Sequence, residues 1–246
     1  MKISYELNPP KILDGVFDYA RLNYDIIRFY DRVALIRELA DNIHLTDSVL
    51  GIPRVSNIYL ARELKIKSRC SMRVRDRNLL ALLQSVTDAI LAEIDGLLIV
   101  KGDEPKDRSI DSGLKPSMVV KTLNQLGFGK KIKLFLSISC NFKKEEIEKK
   151  IDAEPYGFIT QTISSLNDLI VINDIAKSNG IKVIPCIMIP SEKNKSSAQT
   201  IGLDWSSYEN DPYSFIKAAH DICGEILMTS PRSFDDGLEM LKRLKG

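Results

Sequence analysis

Lys2 to Lys11 reads KISYELNPPK, and its reading decides what kind of molecule this is. An apolar, strand-like run from Ile3 to Leu7 carries a single carboxylate, Glu6, and then meets two consecutive prolines. Proline has no N–H to give to a ladder and fixes its own φ, so the run ends there. An acid one residue from the end of a strand is either a wet side chain or a group delivered to a site. Which of these holds depends on the sheet to which the strand belongs.

Outward from this segment, hydrophobic periodicity and turn signals alternate regularly. Strand-like runs fall at Ile3 to Leu7, Ile43 to Thr46, Ser68 to Val74, Gly96 to Lys101, Ile132 to Ser139, Gly157 to Gln161, Val183 to Ile189 and Glu225 to Thr229. Helix-like segments follow them at Tyr24 to Ala40, Arg54 to Leu64, Arg77 to Ile94, Pro116 to Leu126, Lys143 to Ile151, Leu166 to Ser178, Tyr208 to Ile222 and Phe234 to Leu244. The strands are short and rich in Ile, Val and Leu, as strands covered on both faces are, and the helices carry apolar stripes such as Ile147 with Ile151 and Leu238 with Leu241. Parallel strands need crossover elements, and these helices supply them. Eight such units in 246 residues predict one α/β domain over residues 1–246, a (β/α)8 TIM barrel. The alternative, an open doubly wound sheet, would need unusually many strands and lacks a Gly-rich first turn.

Punctuation agrees with this register. Pro53 and Pro116 suit first-turn positions, and Gly127 and Gly180 follow helices where a left-handed cap is wanted. SEKNKSSAQ, Ser191 to Gln199, reads as a polar loop after the seventh strand.

Composition narrows the function classes. Lys and Arg number 35 against 33 Asp and Glu, a formal charge of +2, which gives no reason to expect nucleic acid or an anionic membrane as partner. No run of about 18 apolar residues occurs, and Tyr5, Glu6 and Asn8 interrupt any signal-like start, so the expected location is cytoplasmic. Cys70, Cys140, Cys186 and Cys223 are far apart and form no CxxC, which suits buried thiols. The two histidines, His44 and His220, have no ligand partner at strand or helix spacing, so no metal is expected and His44 is read as a packed or hydrogen-bonded strand residue.

A barrel of this kind places its chemistry where strands end at their carboxyl side. The polar residues there are Glu6; Thr46 and Asp47; Arg73 and Arg75; Lys101, Gly102 and Asp103; Ser139 and Asn141; Gln161 and Thr162; Ser191; and Thr229 and Ser230. IVKGDEP, Ile99 to Pro105, runs an apolar strand into a glycine that permits close backbone approach, with a lysine and an acid beside it; alone it would serve equally as an ordinary turn. FITQ, Phe158 to Gln161, ends a strand in an amide able to donate and accept to a heterocycle edge, or to face water. RVRDRN, Arg73 to Asn78, reads first as the polar lead-in to a helix.

In this order, SYELNPPK, LTDSVLGIPR, VRDRNLLALLQS, IVKGDEP, KKIDA and FITQ make the chain resemble the methylenetetrahydrofolate reductase family along nearly its whole length. The resemblance implies an oxidoreductase of one-carbon metabolism that reduces the methylene group of a reduced folate or related pterin to methyl. Glu6 would be the general acid, Asp103 would lie near the flavin's pyrimidine edge and the pterin as a catalytic and binding residue, and Gln161 would bind the pterin. Thr46, Ser71, Lys101, Gly102, Asp103 and Lys150 fall at cofactor-contacting positions, for FAD with NAD(P)H or another donor. Three segments depart from the family pattern. Ser71 stands where a flavin-holding histidine is usual, Asn8 replaces an aromatic, and SISCNFKKEE lacks the family's Tyr- and His-bearing loop. These departures motivate a second expectation, a flavin-free pterin-binding reductase or a subunit whose redox centre lies in a partner protein. Association into a homo-oligomer is compatible with either.

Overall fold

The computed structural model describes residues 1–12, 15–105, 111–139 and 144–246. Eight parallel strands close into a barrel in sequence order: β1 (Ile3–Leu7), β2 (Asn42–Leu45), β3 (Ser68–Arg73), β4 (Gly96–Val100), β5 (Lys133–Ile138), β6 (Gly157–Thr162), β7 (Lys182–Met188) and β8 (Ile226–Thr229). The ring closes where β1 lies beside β8, with Ile3 opposite Ile226 and Tyr5 opposite Met228. Nine helices among the described residues cover it: α1 (Tyr19–Arg37), α2 (Asn57–Leu64), α3 (Leu79–Leu91), α4 (Pro116–Gln125), α5 (Lys144–Ile151), α6 (Leu166–Lys177), α7 (Lys195–Thr200), α8 (Pro212–Cys223) and α9 (Phe234–Lys245). None of them is long and apolar enough to cross a membrane.

The pleat sends alternate residues of each strand to opposite faces. Outward-facing Ile3, Tyr5, Leu7, Ile43, Leu45, Cys70, Met72, Leu97, Ile99, Leu134 and Leu136 join helix residues such as Val33, Leu60, Leu82 and Val120 in one large buried core. The barrel interior divides into two halves. Leu98, Phe135, Ile159, Ile184, Cys186 and Leu227 form an apolar cluster on β4 to β8. The inward positions of β1 to β3 are instead polar, namely Ser4, Glu6, Asn42, His44, Arg69, Ser71 and Arg73, and all but Glu6 are buried. Phe135 sets the width at its level. A Cβ at Gly96 would lie 2.7 Å from its ring, and one at Gly157 would lie 3.0 Å from it, so β4 and β6 both begin with glycine.

The polar half is anchored below by Glu225, which immediately precedes β8. Its carboxylate takes hydrogen bonds from Arg69 and from Ser4 Oγ (3.2 Å), and ion pairs with Lys182 Nζ (2.6 Å) and Lys2 Nζ (2.8 Å). Burial alone would raise the Glu225 pKa, but Arg69, Lys182 and Lys2 overrule it and hold the group at about 2. Arg69 lies 5.5 Å from the Phe135 ring centroid, where the two halves of the interior meet.

Several boundaries differ from the sequence expectations, each for a local reason. α1 begins at Tyr19 rather than Tyr24 because Asp18 accepts from Arg21 N (3.0 Å) as its cap. α2 begins at Asn57, capped by Ser56, so Pro53 precedes the helix and its carbonyl instead accepts from Ile12 N (3.0 Å). Pro116 does occupy the first turn of α4. The stretch read as a polar loop contains α7, held in place by Asn194, whose side chain donates to Ile189 O (2.9 Å) and Ser230 Oγ (2.8 Å). Cys70 and Cys186 are buried and Cys223 is half-buried, with burial pushing the Cys223 thiol up to about 12; Cys140 lies outside the described residues.

Candidate functional site

Glu6 is the penultimate residue of β1 and points inward at the carboxyl end of the barrel, in register with His44 of β2. Thr229, the last residue of β8, donates its hydroxyl to Glu6 Oε1 at 2.8 Å. Burial raises the Glu6 pKa, and the Thr229 hydroxyl only partly offsets it. A half-buried acid with a raised pKa keeps access to the mouth and holds its proton further towards neutral pH than an exposed glutamate does.

His44 lies within the wall. Its Nε2 sits 2.9 Å from Ser71 Oγ, and burial, helped by the charge of Arg69, lowers its pKa to about 3, so the imidazole is neutral. Among the described residues no group of His, Cys, Asp and Glu is placed to hold a metal ion.

The loops after β2, β3 and β4 are tied together by Arg73. This buried guanidinium donates to Ser48 O (2.8 Å) and Asp103 O (2.6 Å) and pairs with Asp76 (3.2 Å), while its backbone N–H donates to Asp47 Oδ2 (3.0 Å). Arg77 also reaches Asp47 Oδ2, at 2.6 Å. Arg73 is therefore an internal clamp, while the run that it opens does lead into α3, capped by Asn78. Gly102, at φ +85°, passes so close that a Cβ there would lie 2.8 Å from Arg73 Nε. Asp103 itself is exposed, and its Oδ2 accepts from Leu50 N at 2.7 Å, across the rim from its own strand.

The other expected positions are spread around the same rim. Thr46 donates to Asn8 Oδ1 at 2.7 Å, joining the end of β2 to the segment after β1. Ser71 is the partner of His44. Lys101 pairs with Asp111 at 2.7 Å, and Lys150 reaches from α5 to donate to Ser137 O at 2.6 Å, with burial lowering its pKa. Gln161 is exposed near the end of β6, within the register shift between Ile159 and Thr162, the kind of bulge that re-aims side chains at barrel rims. Asn141 lies outside the described residues.

Two further sets of contacts organise this rim. Thr229 was visible as a strand end but not as the partner of Glu6, because that contact exists only once β8 closes on β1. Asn57, the first residue of α2, is buried and donates its amide to Leu45 O (3.2 Å), Thr46 O (3.2 Å) and Ser71 O (2.8 Å), fixing the ends of β2 and β3.

No family model matches this sequence, and no curated protein does. Solved structures do. One is an uncharacterised protein from Clostridium thermocellum that binds two copies of 5-methyl-5,6,7,8-tetrahydrofolic acid, with a TM-score of 0.66 at 14% identity over 99% of this chain and 94% of that one. Orotidine 5'-phosphate decarboxylase from Pyrococcus horikoshii OT3 aligns with a TM-score of 0.55 at 14% identity, covering 99% of both chains. A tryptophan synthase complex from Pyrococcus furiosus gives 0.55 at 11% identity, covering 99% of this chain and 94% of that one. The chain is a TIM barrel. At these identities the likeness establishes the fold and nothing finer.

Proposed function

We propose that this chain is an enzyme that binds a reduced folate or related pterin in the carboxyl-end mouth of its barrel and reduces a methylene bridge on it to methyl. The observation that carries the reading is Glu6, a carboxyl whose pKa is raised by burial and whose hydrogen-bond partner is a hydroxyl on the neighbouring strand. A solved structure of the same fold that binds a methylated reduced folate supports the ligand class.

Glu6 gives its proton to one nitrogen of the bridge as the C–N bond breaks, and the lone pair of the other nitrogen forms an iminium. A hydride then adds to the methylene carbon, and the donor is oxidised by two electrons. Glu6 recovers its proton from water at the open mouth. Asp103 and Gln161, exposed on the rim, are suited to the polar edge of the pterin.

The flavin-free form of this reading has a specific observation behind it. Thr46, Ser71 and Lys150 each spend their polar group on an internal partner, and Gly102 is packed against Arg73. Lys101 and Asp103 are engaged as well, with Asp111 and with Leu50 N, but they are the exposed members of the set and the ones an isoalloxazine ring could reach. No step here is assigned to a flavin. Hydride from a reduced nicotinamide or from a redox partner subunit fits the same chemistry. Titrating the purified chain with FAD tests the point, since a saturable spectral shift would restore the flavin.

The Glu6→Gln variant tests the acid. It should lower the rate of methylene reduction by a factor of about 10²–10⁴ while leaving affinity for the 5-methyl compound within about twofold. A rate within threefold of the parent would remove Glu6 from the mechanism.

A further inference from the structure

In the barrel wall, β1 has β8 on one side and β2 on the other. From β8, Thr229 donates to Glu6 Oε1. From β2 comes His44, in register with Glu6 and, like it, directed inward. Neighbouring strands stand about 4.8 Å apart, so two such side chains come within reach of each other by rotation about their own bonds. Ser71 occupies one side of the imidazole, at Nε2. The other nitrogen, Nδ1, is buried with no hydrogen-bond partner among the described residues, in a side chain only 1% exposed.

The neutral imidazole has one N–H and one lone pair to distribute. When Nε2–H donates to Ser71 Oγ, Nδ1 becomes an acceptor, and a buried acceptor is stabilised by a donor. The charged groups around Glu6 are committed elsewhere. On β3, Arg69 turns towards the amino end onto Ser4 and Glu225, and Arg73 binds Asp76 and the carbonyls of Ser48 and Asp103. At the end of β2, Asp47 pairs with Arg77. On the outward face of β1, Tyr5 meets the charges of Arg32 on α1 and of Asp235 and Asp236 on α9. The Glu6 carboxyl, with Oε1 held from the β8 side, has Oε2 to offer towards β2.

We infer that His44 is a positioning residue for Glu6: in the protonated acid, Oε2–H donates to His44 Nδ1 while Thr229 donates to Oε1. The reactive proton is thereby held in one place until a substrate nitrogen takes it, which builds on the acid role given to Glu6 above. Once the proton has left, the carboxylate faces a lone pair instead of a donor, and this favours reloading from water at the mouth.

Two substitutions separate the imidazole nitrogens. The side-chain amide of Asn reaches about as far as Nδ1 and that of Gln about as far as Nε2, so His44→Asn keeps an acceptor for Glu6 and His44→Gln keeps a partner for Ser71. In His44→Gln the fall of methylene reduction with rising pH should have its midpoint about half to one unit lower than in the parent, with kcat on that limb down about three- to tenfold and KM within about twofold. His44→Asn should stay near the parent. Equal midpoints in all three chains, or equal displacement in both variants, would overturn the positioning role.

A second measurement needs neither variant nor substrate. In nitrogen NMR of the full chain labelled at histidine, the His44 Nδ1 resonance should be that of an unprotonated nitrogen and should move as the carboxyl carbon signal of Glu6 titrates. A protonated Nδ1, or a resonance indifferent to that titration, would overturn the contact and assign Nδ1 to another donor such as Arg69 Nη1, which is also buried without a partner among the described residues. If the resonance responds but no pterin is reduced, the contact stands and the folate reading falls.

Discussion

At the scale of single residues, Glu6 and Asn57 make opposite demands on their surroundings. Glu6 is kept partly neutral by burial, so between the ordinary carboxyl value of 4.5 and its own raised pKa the folded chain holds a proton that the unfolded chain has released. Stability therefore falls as pH rises through that window, and reduction that depends on the protonated acid falls with it. Glu6→Gln should abolish this slope in denaturant titrations at successive pH values; an unaltered slope would place the titrating group elsewhere. The Asn57 amide donates to three carbonyls, and Asn57→Ala leaves those of Leu45, Thr46 and Ser71 short of a donor. Urea unfolding should show a loss of about 1–3 kcal/mol, and a loss below 0.5 kcal/mol would mean that water replaces the amide.

At the scale of elements, the join between α9 and β1 is set by the absence of a side chain. A Cβ on Gly237 would run into the buried Tyr5 hydroxyl and lie 2.8 Å from Ser230 Cβ. Gly237→Ala should therefore destabilise by about 1–3 kcal/mol, and adding Tyr5→Phe should recover part of it by removing the obstructing oxygen. If Gly237→Ala is no worse than an exposed change such as Glu239→Ala, the helix shifts freely on the strand. These elements were legible in the sequence to different degrees for physical reasons. The strands stood out because each is an apolar run ended by a turn, and Glu6 stood out as the lone acid in one of them. The helix α7 did not, because a six-residue polar segment has no apolar stripe and is held by Asn194 reaching to neighbouring loops. Arg69 and Arg73 were equally opaque. A charged residue in a strand reads as exposed until the barrel closes and turns it inward.

At the scale of the whole molecule, the barrel is held at its amino end by the cluster around Glu225. Its carboxyl, at about 2, contributes stability that is fully present above 4.5 and is lost as pH falls towards 2. Glu225→Gln strips Arg69 of its buried counter-charge and should cost about 3–5 kcal/mol near neutral pH, with a flatter stability curve in acid. Unchanged acid sensitivity would assign that lability to other carboxylates. The divided interior also carries an evolutionary consequence. Leu98, Phe135, Ile159, Ile184 and Leu227 can exchange among apolar residues of similar volume at small penalty, whereas Ser4, Asn42, His44, Arg69 and Ser71 are interlocked by direction as well as size. Related chains should drift more freely at Leu98, Ile159, Ile184 and Leu227 than at the inward positions of β1 to β3, so that descent is recorded on one side of the barrel and constraint on the other.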